Sequence, residues 1–337
     1  PVIDGVANAV INYASVIQRD YGNATVVTPY YPNAGDSAYP FPVLRYPSID
    51  ITKLVGYRAG FPLSPKLMAQ VEGRHIDLIH SHCPITSTVL VRMLRQRLHV
   101  PLVFTYHTKF DIDIANAIHN KQLQEASIKL LVENISACDE VWTVSHGAGE
   151  NLRSLGYQGE YIVMPNGVDF PAGRLPEEKV RAVSQGLDLP DGVPLLLFVG
   201  RMMWYKGLRI ILDALKQLKE DGPDFRMAFV GKGTDGEAIR AYAKELCLDD
   251  KVFFLEPCYD REIIRAWYCR ADLFLFPSTF DTNGLVVREA AACGLASVLI
   301  AGSCAAEDIT DGQNGFFIEG NAASMAEMLR RLLPRRA

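Results

Sequence analysis

Spacings for a zinc site or a disulfide framework are missing from this sequence. Its seven cysteines are scattered, with no Cys-x-x-Cys pair and none at ligand spacing from a histidine. A reducing cytosol therefore fits better than a secreted scaffold. A membrane-spanning run is missing too. The longest charge-poor stretch, AAACGLASVLIAGSCAA (290–306), is too rich in Gly, Ala and Ser and reads as a helix end, a strand and a turn. No signal-peptide pattern opens the chain. Charge of one sign is scarce: the net charge is −5, with 13 basic and 14 acidic residues up to residue 168 and 21 and 25 after it. Neither half is built for nucleic acid. Residues 45–97 are the exception, with eight Lys or Arg against three acids. That excess suits an anionic surface or a merely solvated basic face.

What is present is a globular composition. The 337 residues are 49% apolar with mean hydropathy +0.06, enough for two cores of about 150 residues each. In the first half, strands are expected over ATVVTP, DLIHSH, PLVFTYH, EVWTVS and YIVMP, with helices after most of them. Residues 169–193, DFPAGRLPEEKVRAVSQGLDLPDGV, are rich in Pro, Gly and charge and read as a linker. A fresh alternation follows: PLLLFVGR, FRMAFVG, KVFFLEP, DLFLFP, ASVLIAG and GFFIE, with helices beginning near Gly207, Thr234, Tyr259, Gly284 and Asn321. The class is α/β: two doubly wound parallel-sheet, Rossmann-like domains, 1–168 and 194–337, facing each other across a cleft.

Ligands of such sheets bind beyond the carboxyl ends of the strands, where loops meet helix N-termini. FVGRMMWYKG puts Arg201 at a strand end and Lys206 just before a helix, a plausible diphosphate clamp beside free N–H groups. Singly, a solvated lysine and an ion-paired arginine explain them as well. FVGKGT (229–234) runs a strand into a Gly-rich turn, suited to close backbone approach or to nothing more than a tight turn. FDTNGLVVREAAACG (280–294) sets Asp281 in a loop, opens a helix at Asn283 and Gly284, and places Glu289 in its second turn. The free N–H groups there suit an anion or sugar oxygens better than a further carboxylate. His107, at the end of PLVFTYH, could donate to a substrate hydroxyl or simply bond within its loop. His80 and His82 share one face of their strand; with no third ligand at useful spacing they read as core or switch-point residues.

These segments, in this order, resemble the retaining glycosyltransferases of family 4, which have the GT-B fold. FVGRMMWYKG, FVGKGT, RADLFLFPSTFDTNGLVVREAAACGLASVLI and DITDGQNGFFIE are similar to the family's C-terminal domain; GVANAV, HSHCP, TYHTKFD, VWTVS and MPNGVD are similar to its N-terminal domain. The resemblance implies transfer of a hexose from a nucleotide diphosphate sugar to an acceptor hydroxyl, with no metal or other cofactor. It implies that Arg201 and Lys206 hold the donor diphosphate, that Asp281 hydrogen-bonds the sugar, and that Glu289 accepts from the ribose diol. The N–H groups of Asn283, Gly284 and Leu285 would face sugar and phosphate. Gly5 would lie under the donor phosphates, His107 against the sugar, and Gly231 and Gly233 near the nucleotide. Asn166, Asp169 and Glu307 read as ordering contacts. Asp281 and Tyr205 depart from the family, which more often carries Glu at both positions.

Since both acids are assigned to hydroxyls, the implied mechanism is a front-face route in which the leaving phosphate accepts the acceptor's proton, with closure of the domains excluding water. YPSIDITKLVGYRAGFPLS (46–64) resembles the branch that glycosylates diacylglycerol. With the basic excess and the helix TVLVRMLRQRL, it points to a lipid acceptor such as diacylglycerol and a cytoplasmic protein peripheral on the inner face of an anionic membrane, with a soluble or cell-wall glycan as the alternative acceptor. The resemblance to lipid-acceptor members implies UDP-glucose as the donor, with GDP-mannose left open. The chain opens already inside the expected glycine loop and stops where relatives continue into a further helix, so a fragment is expected. A nucleotide-sugar epimerase or hydrolase, and a non-catalytic sugar-nucleotide binder, are the competing readings.

Overall fold

The computed structural model describes residues 5–32, 34–50, 58–61, 64–258 and 260–333, without the side chains of 113, 116 and 117. Two compact units divide at Gly167 and Val168.

The first unit begins with helix α1 (Gly5–Asp20), then strands β1 (Val26–Pro29), β2 (Val43–Tyr46), β3 (Ser48–Asp50) and β4 (Arg58–Gly60). Helix α2 (Pro65–Glu72) leads to β5 (Ile79–Ser81), α3 (Thr86–Leu98), β6 (Leu102–Tyr106), α4 (Phe110–Ala117), α5 (Lys121–Ser136), β7 (Glu140–Thr143), α6 (His146–Ser154) and β8 (Ile162–Val163). Strands β5 to β8 pair in that order as a parallel sheet, β1 pairs β2 in parallel, and β3 pairs β4 antiparallel. Every residue of β6 is buried, as an internal parallel strand covered on both faces must be. Local capping fixes the helix starts: Ser64, Asn120 and Ser145 each accept from an N–H of the first turn of α2, α5 and α6.

The basic helix read from the sequence is α3, and its arginines bond within the chain, although Arg97 stays exposed. Leu90 and Leu94 pack with Tyr46 and Leu67. Arg92 donates to Asn134 Oδ1 at 2.7 Å, Arg97 to Glu72 Oε1 at 2.8 Å, and Arg95 to Asp139 and the Ala137 carbonyl. Arg45 and Arg58 pair with Asp36 and Asp50. Several of these partners lie outside residues 45–97, so Arg45, Arg58, Arg95 and Arg97 are ion-paired within the chain, while Lys66 and Arg74 stay exposed and Lys53 lies outside the described residues. Residues 51–57, 62 and 63 of the lipid-branch segment lie outside the described residues.

The second unit holds α7 (Glu177–Ala182), β9 (Leu195–Val199), α8 (Leu208–Asp221), β10 (Arg226–Val230), α9 (Gly236–Glu245), β11 (Val252–Leu255), α10 (Arg261–Arg270), β12 (Leu273–Phe276), α11 (Leu285–Ala292), β13 (Ser297–Ile300), β14 (Gly315–Ile318) and α12 (Ala322–Leu332). Its six strands are all parallel, in the order β11-β10-β9-β12-β13-β14. Strands β9 and β10 are buried throughout. Helix α8 shows why: Leu208, Ile211, Leu212, Leu215 and Leu218 form one stripe with no exposed surface. Each contributes about 1.5–3 kcal/mol by burial.

Residues 169–193 differ from the expected linker. They carry α7, and Phe170 and Val180 are buried in the second core with Leu175, Val183, Leu187 and Leu189 packed against it. Their polar composition describes the outer surface of a packed segment.

Candidate functional site

The chain leaves β9 for β10 and β11 on one side, and returns for β12, β13 and β14 on the other. The carboxyl ends of β9 and β12 therefore form the switch point of the sheet, where two crossovers diverge and leave a crevice. Arg201 and Lys206 follow β9, and Asp281 follows β12. Lys206 sits on a single 3-10 turn, Trp204–Lys206, and is 7% exposed. Its Nζ donates to Asp281 Oδ1 at 2.5 Å, while Ser278 Oγ donates to Asp281 Oδ2 at 2.5 Å. The cation expected to hold phosphate and the acid expected to read the sugar are thus each other's partners across 75 residues of chain.

Tyr205, one of the two departures, explains itself here. Its ring lies 4.6 Å from that of Phe280 by centroid, with Arg201 Cζ at 5.9 Å and Lys206 Nζ at 5.7 Å. An aromatic face next to two cations supplies part of the attraction that a carboxylate would give. Ser278 was missed by sequence reading, although a hydroxyl three residues before the acid was visible in FPSTFD.

Two helix N-termini adjoin this pair. Helices α8 and α11 start after Gly207 and Gly284, both in the left-handed region, and neither start has a side-chain cap. Their first N–H groups keep a partial positive charge. Gly284 has φ 62°, and a Cβ there would come within 3.0 Å of Ala305 Cβ. Asn283 Oδ1 accepts from Arg288 Nε at 3.2 Å, and Arg288 also reaches Asp308. Gly231 and Gly233 are required by backbone contact: a Cβ would lie 2.0 Å from the Gly200 carbonyl oxygen and 2.3 Å from that of Met202. With Gly236 the run reads Gly-x-Gly-x-x-Gly over 231–236, following β10 and opening α9, a fuller phosphate-type turn than FVGKGT alone displays.

Glu289 lies one helical turn further along α11, 6% exposed. Arg261 Nη2 donates to Oε1 at 2.8 Å and Tyr268 OH to Oε2 at 2.9 Å. Burial pushes the Glu289 carboxyl above its ordinary value, against the pull of Arg261 and Tyr268. Burial likewise drives the Tyr268 phenol well up, helped by the Glu289 charge. Arg261 also grips Asp169 through Nε at 3.0 Å and through Nη2. Neither Arg261 nor Tyr268 was found from the sequence.

Two expected residues, Gly5 and His107, belong to the first unit. Gly5 is exposed at the start of α1. His107, after β6, is 6% exposed and shares a 2.9 Å hydrogen bond between its Nε2 and His82 Nδ1. His80 lies 4.0 Å from His82 by ring centroid and bonds Thr105 Oγ1 at 2.7 Å. Tyr13 and Trp142 complete the cluster. Burial lowers His107 to about 3 and His80 to about 4, and His82 falls well below its usual value. The three rings are neutral near pH 7, hydrogen-bonding groups rather than acids. Among the described residues no group of three or more His, Cys, Asp or Glu could hold a metal ion, and no helix is long and apolar enough to cross a membrane.

A parallel α/β unit with cations, acids and uncapped helix N-termini at its switch point is of the class that binds phosphorylated ligands. Residues 180–336 match the family described as Glycosyl transferases group 1, and residues 3–170 match Glycosyltransferase Family 4. A D-inositol 3-phosphate glycosyltransferase of Thermomonospora curvata is 31% identical over 314 residues, covering 86% of this chain and 72% of that protein. The chain spans only 62% and 59% of two others of the same description. An alpha-monoglucosyldiacylglycerol synthase of Streptococcus pneumoniae is 22% identical over 87% of this chain and 67% of that protein. The crystal structure of Anabaena HepE with UDP and glucose superposes with TM-score 0.76 at 21% identity, covering 97% of this chain and 86% of that one. The chain belongs to glycosyltransferase family 4 and has the GT-B class of fold.

Proposed function

We propose that the protein moves a hexosyl group from a nucleoside diphosphate sugar, UDP-glucose first, to an acceptor hydroxyl with retained configuration and without a metal ion. The observation that carries this reading is the Lys206–Asp281 pair at the switch point, between the uncapped starts of α8 and α11. A diphosphate would take up Lys206, Arg201 and the helix N–H groups, supplying positive charge where the leaving group develops negative charge. Asp281, released to the sugar side, would accept from a hexose hydroxyl, and Glu289 from the ribose. Both carboxylates are already held by neighbours, which favours a front-face route over attack by an enzyme nucleophile. In that route the anomeric C–O bond to phosphate breaks, the acceptor oxygen bonds on the same face, and its proton passes to the departing phosphate. Neutral His107 would hydrogen-bond the sugar without titrating.

The more similar relatives make D-inositol 3-phosphate the first acceptor to test. The synthase of Streptococcus pneumoniae makes a diacylglycerol, met at a membrane surface from the cytoplasmic side, the second. Isothermal titration with UDP, UDP-glucose and GDP-mannose, on wild type, Glu289→Ala and Lys206→Ala, tests the donor site. Selective UDP binding weakened by both substitutions supports it; no binding by folded protein to any of the three overturns it. Product analysis with each acceptor then separates transfer from donor hydrolysis or epimerisation, and from binding without turnover.

A further inference from the structure

Arg261 is the first residue of α10, directly after its Asp260 cap. A cation there faces the positive end of the helix, an unfavourable arrangement unless something offsets it. Two carboxylates do so. Asp169 takes Nε and Nη2, Glu289 Oε1 takes Nη2 at 2.8 Å, and the Phe170 ring lies 4.2 Å from the guanidinium carbon. The guanidinium is therefore fixed on three sides, although 40% of the side chain is exposed. Glu289 is held from the other direction by Tyr268, which is fully buried. An ionised carboxylate offers about four acceptor positions. Arg261 and Tyr268 use one on each oxygen, and the two that remain equal the number of hydroxyls on a ribose 2′,3′-diol.

We infer that Arg261 is a positioning residue for nucleotide recognition: by bridging Asp169 and Glu289 it keeps the Glu289 carboxylate aimed, and so sets the preference for ribose over 2′-deoxyribose in the donor. This rests on the donor site proposed above. The charged and titratable groups facing Glu289 are Arg261, Tyr268 and Asp169. Of these, Arg261 is the one cation. Without it, burial and Asp169 both favour the protonated acid, which has fewer acceptor positions and loses its grip on the diol as pH falls.

The test is equilibrium binding of UDP and 2′-deoxy-UDP to the full chain at pH 6.5 and 8.5, for wild type, Arg261→Met, Arg261→Lys and Glu289→Gln. Wild type should prefer UDP by about 10-fold or more at both pH values, the worth of a hydrogen bond to a charged group. Arg261→Met should bind 2′-deoxy-UDP within about twofold of wild type, showing that it is folded, yet lose preference for UDP, and lose more of it at pH 6.5 than at pH 8.5. Arg261→Lys should be intermediate, keeping the charge without the fork. Arg261→Met that keeps the wild-type preference at both pH values, while Glu289→Gln loses it, overturns the role of Arg261 and leaves the donor site standing. Equal weakening towards both nucleotides assigns Arg261 a structural role and also overturns it. Wild type that binds neither nucleotide, or shows no preference, removes the ribose role of Glu289 on which the inference stands.

Discussion

At the residue scale, the site is made of charges that satisfy one another before any ligand arrives. Lys206 and Asp281 have side-chain exposures of 9% and 21%, so removing either leaves a largely desolvated partner. Lys206→Met and Asp281→Asn should each destabilise the protein by about 2 kcal/mol, below the 3–5 kcal/mol of a fully buried pair because Asp281 keeps some solvent and the Ser278 hydrogen bond. The double variant should lose less than the sum of the two, a coupling measured by a urea-denaturation cycle. Additivity would show that the 2.5 Å contact contributes no energy. Glu289 poses the opposite case. Its pKa is raised by burial, so its contribution is fully present below the unfolded value of about 4.3 and is lost as pH rises through the raised one. Glu289→Gln should therefore match or exceed wild-type stability at pH 8 while abolishing ribose recognition, checked by unfolding and UDP titration on the same sample. A loss above about 2 kcal/mol at that pH would contradict this account.

At the scale of elements, the histidine cluster ties the ends of β5 and β6 together and makes the first unit sensitive to acid. His80 is held at about 4 and His107 at about 3, against an ordinary 6.5. Between those limits the unfolded chain binds protons that the folded chain refuses. Stability is thus full above pH 6.5 and is lost as pH falls towards 4, by about 3 kcal/mol from His80 alone. His80→Gln keeps a partner for Thr105 but does not titrate, so its stability between pH 7 and 4.5 should fall less steeply than that of wild type; identical slopes would exclude His80 as the source. In the second unit, Gly231→Ala would drive a Cβ into the Gly200 carbonyl at φ 145°. It should cost at least about 2 kcal/mol and weaken UDP binding, read by denaturation and titration.

These elements also mark what the sequence could and could not reveal. The strand after Pro194 and its five successors were legible, since runs such as LLLFV and LFLF are too short for helices and too apolar for a surface. Strands β2, β3 and β4 were not, because three or four residues of mixed polarity carry no period. The segment 169–193 misled through composition: its Pro, Gly and charges are exposed, and Phe170 and Val180, which bury it, are too widely spaced to show a stripe. Arg201, Lys206, Asp281 and Glu289 were read from their motifs, but their partners were not. Lys206 meets Asp281 across 75 residues and Arg261 meets Glu289 across 28, distances closed by the strand order alone.

At the scale of the molecule, the two units are unequally built. The buried residues of the second form one cluster through a six-stranded sheet. Those of the first divide into two clusters, and its strands into separate sheets among the described residues. A continuous core loses more on opening than a divided one, so calorimetry of the full chain should show two transitions, with the first unit melting first. All nominated donor contacts except Gly5 and His107 belong to the second unit. UDP at one hundred times its Kd should then add about 2.7 kcal/mol to that unit and raise the upper transition while leaving the lower nearly in place. The segment 168–333 expressed alone should fold cooperatively and bind UDP with at most a modest loss, since Lys206, Asp281, Glu289 and Arg261 are all retained with their partners. A shift of the lower transition, or a second unit that folds without binding UDP, would move the weight of donor recognition to Gly5 and His107 and away from the switch point between β9 and β12.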